Sequence, residues 1–339
     1  MFAAKRRNEN NGSAPEGRGR RGASGKKGRS ALRYAVLALC VCVMLVSGYK
    51  LIDSMLEYKK ADDAYGYIER EFVKPPPNVS LPGETAPPEP SSLAPETTPP
   101  AVAVPPGETA SEESAKPSYV DNPAPDYWPE VDFEGLSGVN SDFAAWLLCT
   151  GTNVNYPVVH GADNTYYLTH LFDHRQNGAG TLFVDYRNKR GFSDRNTIIY
   201  GHNMRNHSMF WTLSLYRNQS FYNAHPAFRL LTTDGNYEIR LFAGYVAATS
   251  NEAWRVYFSS DDDFLEWIAS LKAGSAFSAD VPVGADDRVV TLSTCVYDFN
   301  DARYVLFGKL VPVAGSEDAA PVAGSEDAVP VAGNEEAAP

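Results

Sequence analysis

The chain has 339 residues, 43% of them hydrophobic, a formal net charge of −12 and only four cysteines. That length allows one sizeable domain with appendages, or two small ones. The charge is split: residues 1–33 hold ten Lys or Arg against two Glu, whereas residues 51–339 hold 19 basic and 40 acidic side chains. So acidic a body excludes nucleic acid as its partner, and so few cysteines exclude a scaffold of many disulfides.

Residues 1–30 are basic and rich in Gly, Arg and Asn, which predicts a disordered segment on the cytoplasmic side of a membrane. The membrane segment follows as "ALRYAVLALCVCVMLVSGYKLI", residues 31–52. Its uncharged core, residues 34–49, falls a little short of the roughly 20 residues a span needs. Arg33 and Lys50 can snorkel, which makes 32–52 long enough. A cleaved secretory signal is the rival reading, with Ser47-Gly48 as a poor cleavage site. Both readings export the acidic body.

Residues 53–73 mix charges with spaced apolar side chains and predict a juxtamembrane helix continuing outward. Residues 74–125 hold 15 of the 24 prolines and predict an extended linker. At about 3.1 Å per residue in polyproline II, such a spacer reaches on the order of 100 Å. At the other end, "PVAGSEDAA", "PVAGSEDAV" and "PVAGNEEAA" repeat across residues 312–339 without aromatic or basic residues, which predicts an acidic disordered tail.

The folded domain is therefore residues 126–311. Ser141 is read as the cap of a short helix that buries Phe143, Trp146 and Leu147. Thereafter short β-branched and aromatic runs predominate, at 156–160, 181–185, 196–201, 227–233, 236–249, 288–294 and 303–310. Asp234-Gly235 marks a hairpin. Helices are expected at 208–216, 218–226 and 261–272, the last with Phe264, Ile268 and Leu271 on one face. The class is mainly β with inserted helices, and its many antiparallel strands predict a closed β-barrel.

Cys40 and Cys42 fall in the membrane segment, and Cys149 lies in the apolar run "WLLCTGT" of a core strand. Cys295 ends the run "VVTLSTC" and precedes the polar loop "VYDFND". Its bland reading is a small hydrophobe at a strand end. Arg303, eight residues on, opens the return strand, so antiparallel pairing brings a guanidinium to a thiol and favours the thiolate. A cysteine nucleophile needs a proton carrier. His202 in "NTIIYGHNM", also at a strand end, is the best candidate among six histidines. His170 and His174 have an H-x-x-x-H spacing, but lack a Glu after the first His and a third ligand, so neither metal nor cofactor is expected. His160, His207 and His225 read as structural or surface residues.

The segments "GTNVNYPVVHGADNTYYLTHLF", "NTIIYGHNM", "MFWTLSLYRNQSFYNAHP" and "TLSTCVYDFNDARYVLFGKL" appear in this order between residues 151 and 310. In this they resemble the class B sortases of Gram-positive cell envelopes. The resemblance implies a sortase-type barrel and a site of Cys295, His202 and Arg303. Cys295 would attack a Thr carbonyl in the C-terminal sorting signal of a surface protein. His202 would protonate the leaving amine, and a peptidoglycan-precursor amine would then resolve the thioester. Arg303 and an unidentified backbone N–H would stabilise the oxyanion. Asp298 is a possible orienting group for His202 or Arg303, and Asn203 and Ser293 are possible supporting residues. Two alternatives stand beside this reading: a hydrolytic cysteine endopeptidase, and a catalytically silent surface binding or scaffold protein.

Overall fold

The computed structural model describes residues 24–77, 124–248, 252–296, 298 and 301–313, with side chains from residue 34 onward. The head up to residue 23, the stretch 78–123 and the repeat tail from 314 lie outside the described residues, and the expectations of disorder there lie outside with them. The chain divides into two compact units, residues 1–56 and 57–339.

Helix α1 (Ser24–Phe72) runs unbroken through the expected anchor and juxtamembrane segments. It starts inside the segment read as disordered, because the Lys, Arg and Ala residues at 26–33 are good helix formers. Its apolar stretch reaches a mean hydropathy of 2.3, long and apolar enough to cross a membrane.

The second unit begins with the end of α1. Ala61, Ala64, Tyr65 and Ile68 form a buried stripe at helical spacing. Strand β1 (Val73–Lys74) then pairs with β2 (Glu130–Val131), and the Ala124 amide donates to the Thr152 carbonyl at 2.7 Å. The residues on either side of stretch 78–123 are therefore both paired within this unit.

Asp132 caps α2 (Phe133–Val139) by accepting from the Gly135 amide at 2.8 Å. The helix expected at 141–147 is instead strand β3 (Phe143–Leu148). Five of its six residues are buried, so both faces are covered, and a fully buried strand shows no alternation to distinguish it from a helix. β4 (Asn155–Val159), β5 (Leu182–Val184) and β6 (Asn196–Tyr200) follow. A 3₁₀ helix (Phe210–Arg217) and α3 (Gln219–Ala224) then lead to the hairpin of β7 (Ala227–Thr232) and β8 (Gly235–Ala248). Gly235 turns that hairpin at φ 139°.

α4 (Asp261–Ala273) is capped by Ser260 and buries Phe264, Trp267, Ile268 and Leu271 against Phe242 and Phe307. β9 (Val289–Cys295) and β10 (Ala302–Pro312) complete a closed eight-stranded barrel in the order β10-β8-β7-β3-β4-β5-β6-β9. Two of its contacts, β4 with β5 and β6 with β9, are parallel. The second of these builds the site.

Candidate active site

β9 is buried from Val289 to Thr294, and only its last residue, Cys295, is half-exposed. β10 returns beside it with Arg303 as the cross-strand partner of Cys295. The Val296 amide donates to the Ala302 carbonyl at 3.0 Å, one position beyond that pair. The 295–303 pair is thus of the non-hydrogen-bonded kind, in which side chains share a face with Cβ atoms about 4.5–5.5 Å apart.

β6 runs parallel to β9 on its other side, with Tyr200 level with Ser293. Two residues further along each chain stand His202 and Cys295. The Gly201 amide bonds to the Ser293 carbonyl at 3.1 Å, and Asn203 Nδ2 donates to the Cys295 carbonyl at 2.8 Å, which carries the register to the strand ends. Gly201 is required here: a Cβ would stand 2.6 Å from Phe210 Cδ2. A cavity of about 250 Å³ is lined by Leu168, Tyr200, His202, Ser293, Cys295 and Arg303 among others. The three residues expected to form the site thus open onto one space.

His202 is held twice. Its carbonyl accepts from the Phe210 amide at 2.9 Å, and its Nε2 donates to the Leu168 carbonyl at 2.7 Å. A carbonyl can only accept, so Nε2 carries its hydrogen and Nδ1 is left for proton exchange. Arg303 Nη1 donates to the Ala302 carbonyl at 3.2 Å. The amide after the cysteine, at Val296, is committed to the β9–β10 ladder. Of the groups named so far, this leaves the Arg303 guanidinium as the donor suited to an oxyanion beside Cys295.

The possible supporting residues separate. Asn203 holds the backbone of Cys295, as above. Ser293 is buried and its Oγ accepts from Trp254 Nε1 at 3.1 Å. Asp298 meets neither His202 nor Arg303 in a hydrogen bond. Its carboxylate is gripped by both terminal nitrogens of Arg217, each at 2.6 Å, and that guanidinium holds it below the usual carboxylate range.

Sequence reasoning missed the groups behind the cavity wall. Tyr200 donates through its hydroxyl to Asp185 at 2.9 Å, and Arg187 grips the same carboxylate at 2.9 and 2.8 Å. Burial opposes the charge on Asp185, but Arg187, its amide and Tyr200 more than offset it and hold the carboxyl below its ordinary range. Arg187 and Asp185 lie close together in "VDYRN", a signal for local pairing but not for its place behind Tyr200.

The two cysteines of the folded unit are both free thiols and differ sharply. Cys149 is buried, and burial pushes its thiol up to about 11. Its Sγ lies 3.5 Å from the Tyr216 hydroxyl, and it does not line the cavity that Cys295 lines. Cys295 alone opens onto the site. His170 stacks on Tyr166 at 4.0 Å, and His174 Nδ1 lies 3.2 Å from the Tyr166 hydroxyl, so the H-x-x-x-H pair packs around one aromatic ring.

A closed barrel with a half-exposed cysteine at a strand end, an arginine on its rung and a histidine level with it is the architecture of a cysteine transpeptidase. Residues 149–311 match the family model described as the sortase domain. The chain is 38% identical over 182 residues to sortase B of Listeria monocytogenes, covering 53% of this chain and 74% of that protein. It is 34% identical over 184 residues to sortase B of Staphylococcus aureus, covering 54% and 75%. Among solved structures, a Staphylococcus aureus sortase B–substrate complex superposes with a TM-score of 0.52 at 34% identity, covering 54% of this chain and 85% of that one. Clostridium perfringens sortase B superposes at 0.50 with 32% identity, covering 52% and 98%. The chain belongs to the sortase family, and within that family to class B.

Proposed function

We propose that this enzyme is a membrane-anchored sortase that joins surface proteins to the cell wall through a thioester on Cys295. The observation that carries the assignment is the single cavity shared by Cys295, His202 and Arg303, with Cys295 and Arg303 on one rung. The Cys295 thiolate attacks the carbonyl carbon of a Thr in the C-terminal sorting signal of a surface protein. Negative charge moves to the carbonyl oxygen, where the Arg303 guanidinium receives it without having to lose or gain a proton. The C–N bond breaks, and the leaving amine takes a proton from the His202 imidazolium. The acyl group now rests on sulfur as a thioester. An amine of a peptidoglycan precursor attacks it, neutral His202 takes the amine's proton, and the thiolate leaves.

Residues 31–52 anchor the enzyme with its N-terminus in the cytoplasm and its barrel outside. The basic side chains before the apolar stretch and the length of that stretch support this orientation. Asn203 holds the backbone at the end of β9, and Ser293 is a supporting residue in the cavity wall, tied to Trp254.

The test uses the full chain in detergent micelles. It is incubated with peptides that begin Asn-Pro and carry a Thr at the scissile bond, with and without triglycine as the amine. Mass spectrometry of intact protein should show an acyl adduct on the wild type and none on Cys295→Ala. Added amine should convert the product from free acid to amide. Wild-type cleavage by Cys295→Ala would sink the assignment, and exclusive formation of free acid in excess amine would make the enzyme a hydrolase.

A further inference from the structure

A side chain near the end of α1 reaches the loop behind the site. Tyr65 sits on the buried stripe of that helix, and its hydroxyl donates to the Gly180 carbonyl and lies 3.1 Å from Thr181 Oγ1. Thr181 is tied back into the loop that carries the Leu168 carbonyl: its amide bonds to the Tyr167 carbonyl at 2.9 Å and its Oγ1 to the His170 carbonyl at 2.8 Å. Gly180, at φ 60°, lies directly behind Leu168, because a Cβ on it would stand 2.9 Å from the Leu168 carbonyl oxygen. That oxygen is the acceptor of His202 Nε2.

The ring of Tyr65 leads to the other flank of His202. It meets Tyr156 edge-on, with centroids 5.3 Å apart, and the Tyr156 hydroxyl accepts from the Met209 amide at 3.1 Å. Met209 bridges to Asn203, and the next residue, Phe210, bonds to the His202 carbonyl. One side chain therefore underlies both the acceptor that fixes the imidazole and the turn that fixes its backbone.

We propose that Tyr65 is a positioning residue for acyl transfer, and that its hydroxyl sets the Gly180–Thr181 segment which holds the Leu168 carbonyl against His202. The inference rests on the reading of His202 as the proton carrier. A hydroxyl that only stabilises the fold, and one that aims an imidazole, differ in what their removal does to turnover. Misplacing a catalytic group lowers kcat and leaves ground-state binding alone.

The experiment compares Tyr65→Phe, which keeps the ring and removes the hydroxyl, with Ile68→Val on the same buried stripe and with His202→Ala. All are made in the full chain in detergent. Rates with the Asn-Pro peptides are expressed per folded molecule, taken as total protein less the fraction in which the buried Cys149 is alkylated by a thiol reagent, so that unfolded protein does not count. For Tyr65→Phe we expect kcat lower by about tenfold with KM unchanged. We also expect loss of the ¹⁵N signature of the Nε2–H tautomer, assigned to His202 by its disappearance in His202→Ala. Ile68→Val should lower the melting temperature without either effect. Wild-type kcat and tautomer in Tyr65→Phe would overturn the inference, as would an equal fall in kcat in Ile68→Val. Full activity in His202→Ala would instead remove the proton-carrier reading, and this inference with it.

Discussion

Cys295 and Arg303 face each other across one rung of the β9–β10 ladder, and that rung needs only a short hairpin to form. Backbone pairing thereby sets the two side chains side by side at their roots. Arg303→Ala should lower the single-turnover acylation rate by about 10²–10³. Arg303→Lys should recover only part of it, because the ammonium lacks the planar fork. Rapid-quench mass spectrometry of the acyl-enzyme measures both.

The two thiols of the folded unit should behave oppositely toward an alkylating reagent at neutral pH. Only a thiolate reacts, and Cys149 is buried with its thiol pushed up to about 11. Peptide mapping after brief treatment of native protein should find label on Cys295 and none on Cys149. After unfolding in denaturant, both should carry it.

Gly201→Ala should damage both stability and activity. The new methyl would stand 2.6 Å from Phe210 Cδ2, in a turn whose next residue is His202. Overpacking of this kind costs about 1–3 kcal/mol. A lowered melting temperature, together with a lower kcat per folded molecule, is the expected pair of readouts.

Asp298 stands three residues after Cys295, yet its carboxylate belongs to Arg217. Both side chains of the pair are about one third exposed, which limits its worth. Asp298→Asn should therefore change kcat by less than about tenfold, against a loss of about 10² or more for His202→Ala. A loss equal to that of His202→Ala would restore the carboxylate to the site.

Acid should destabilise the barrel in two phases. Burial lowers the folded-state values of His160, with help from Arg190, and of His225. Above about 6.5 these rings are neutral in both states. Below that the unfolded chain takes up protons first and stability falls. Asp185 is held below its ordinary range, so its contribution is present above about 4 and is lost as pH falls through its lowered value. Melting temperatures recorded against pH should show both declines, and Asp185→Asn should flatten the lower one.

What the sequence disclosed follows from how local each contact is. The runs that became β6, β9 and β10 were legible from β-branched and aromatic composition. The Cys295–Arg303 pairing was legible because a short loop joins the two strands. The level placement of His202 and Cys295 depends on the parallel β6–β9 contact, made across some ninety residues, and no periodicity announces it. β3 was misread as a helix because burial on both faces erased its alternation. The Leu168 carbonyl could not be foreseen, since a backbone group leaves no mark in the residue pattern. Arg217, 81 residues from Asp298, could not be foreseen as its partner either.

Stretch 78–123 leaves the barrel unit after the β1–β2 pairing residues and rejoins it at Ala124. In polymer terms its two flanks, Lys74 and Ala124, close a loop on one unit, because both are paired within that unit. Closure entropy changes by only about 0.6 kcal/mol for each doubling of such a loop. By that measure, lengthening or shortening residues 78–123 should leave the melting temperature of the barrel unit almost unchanged.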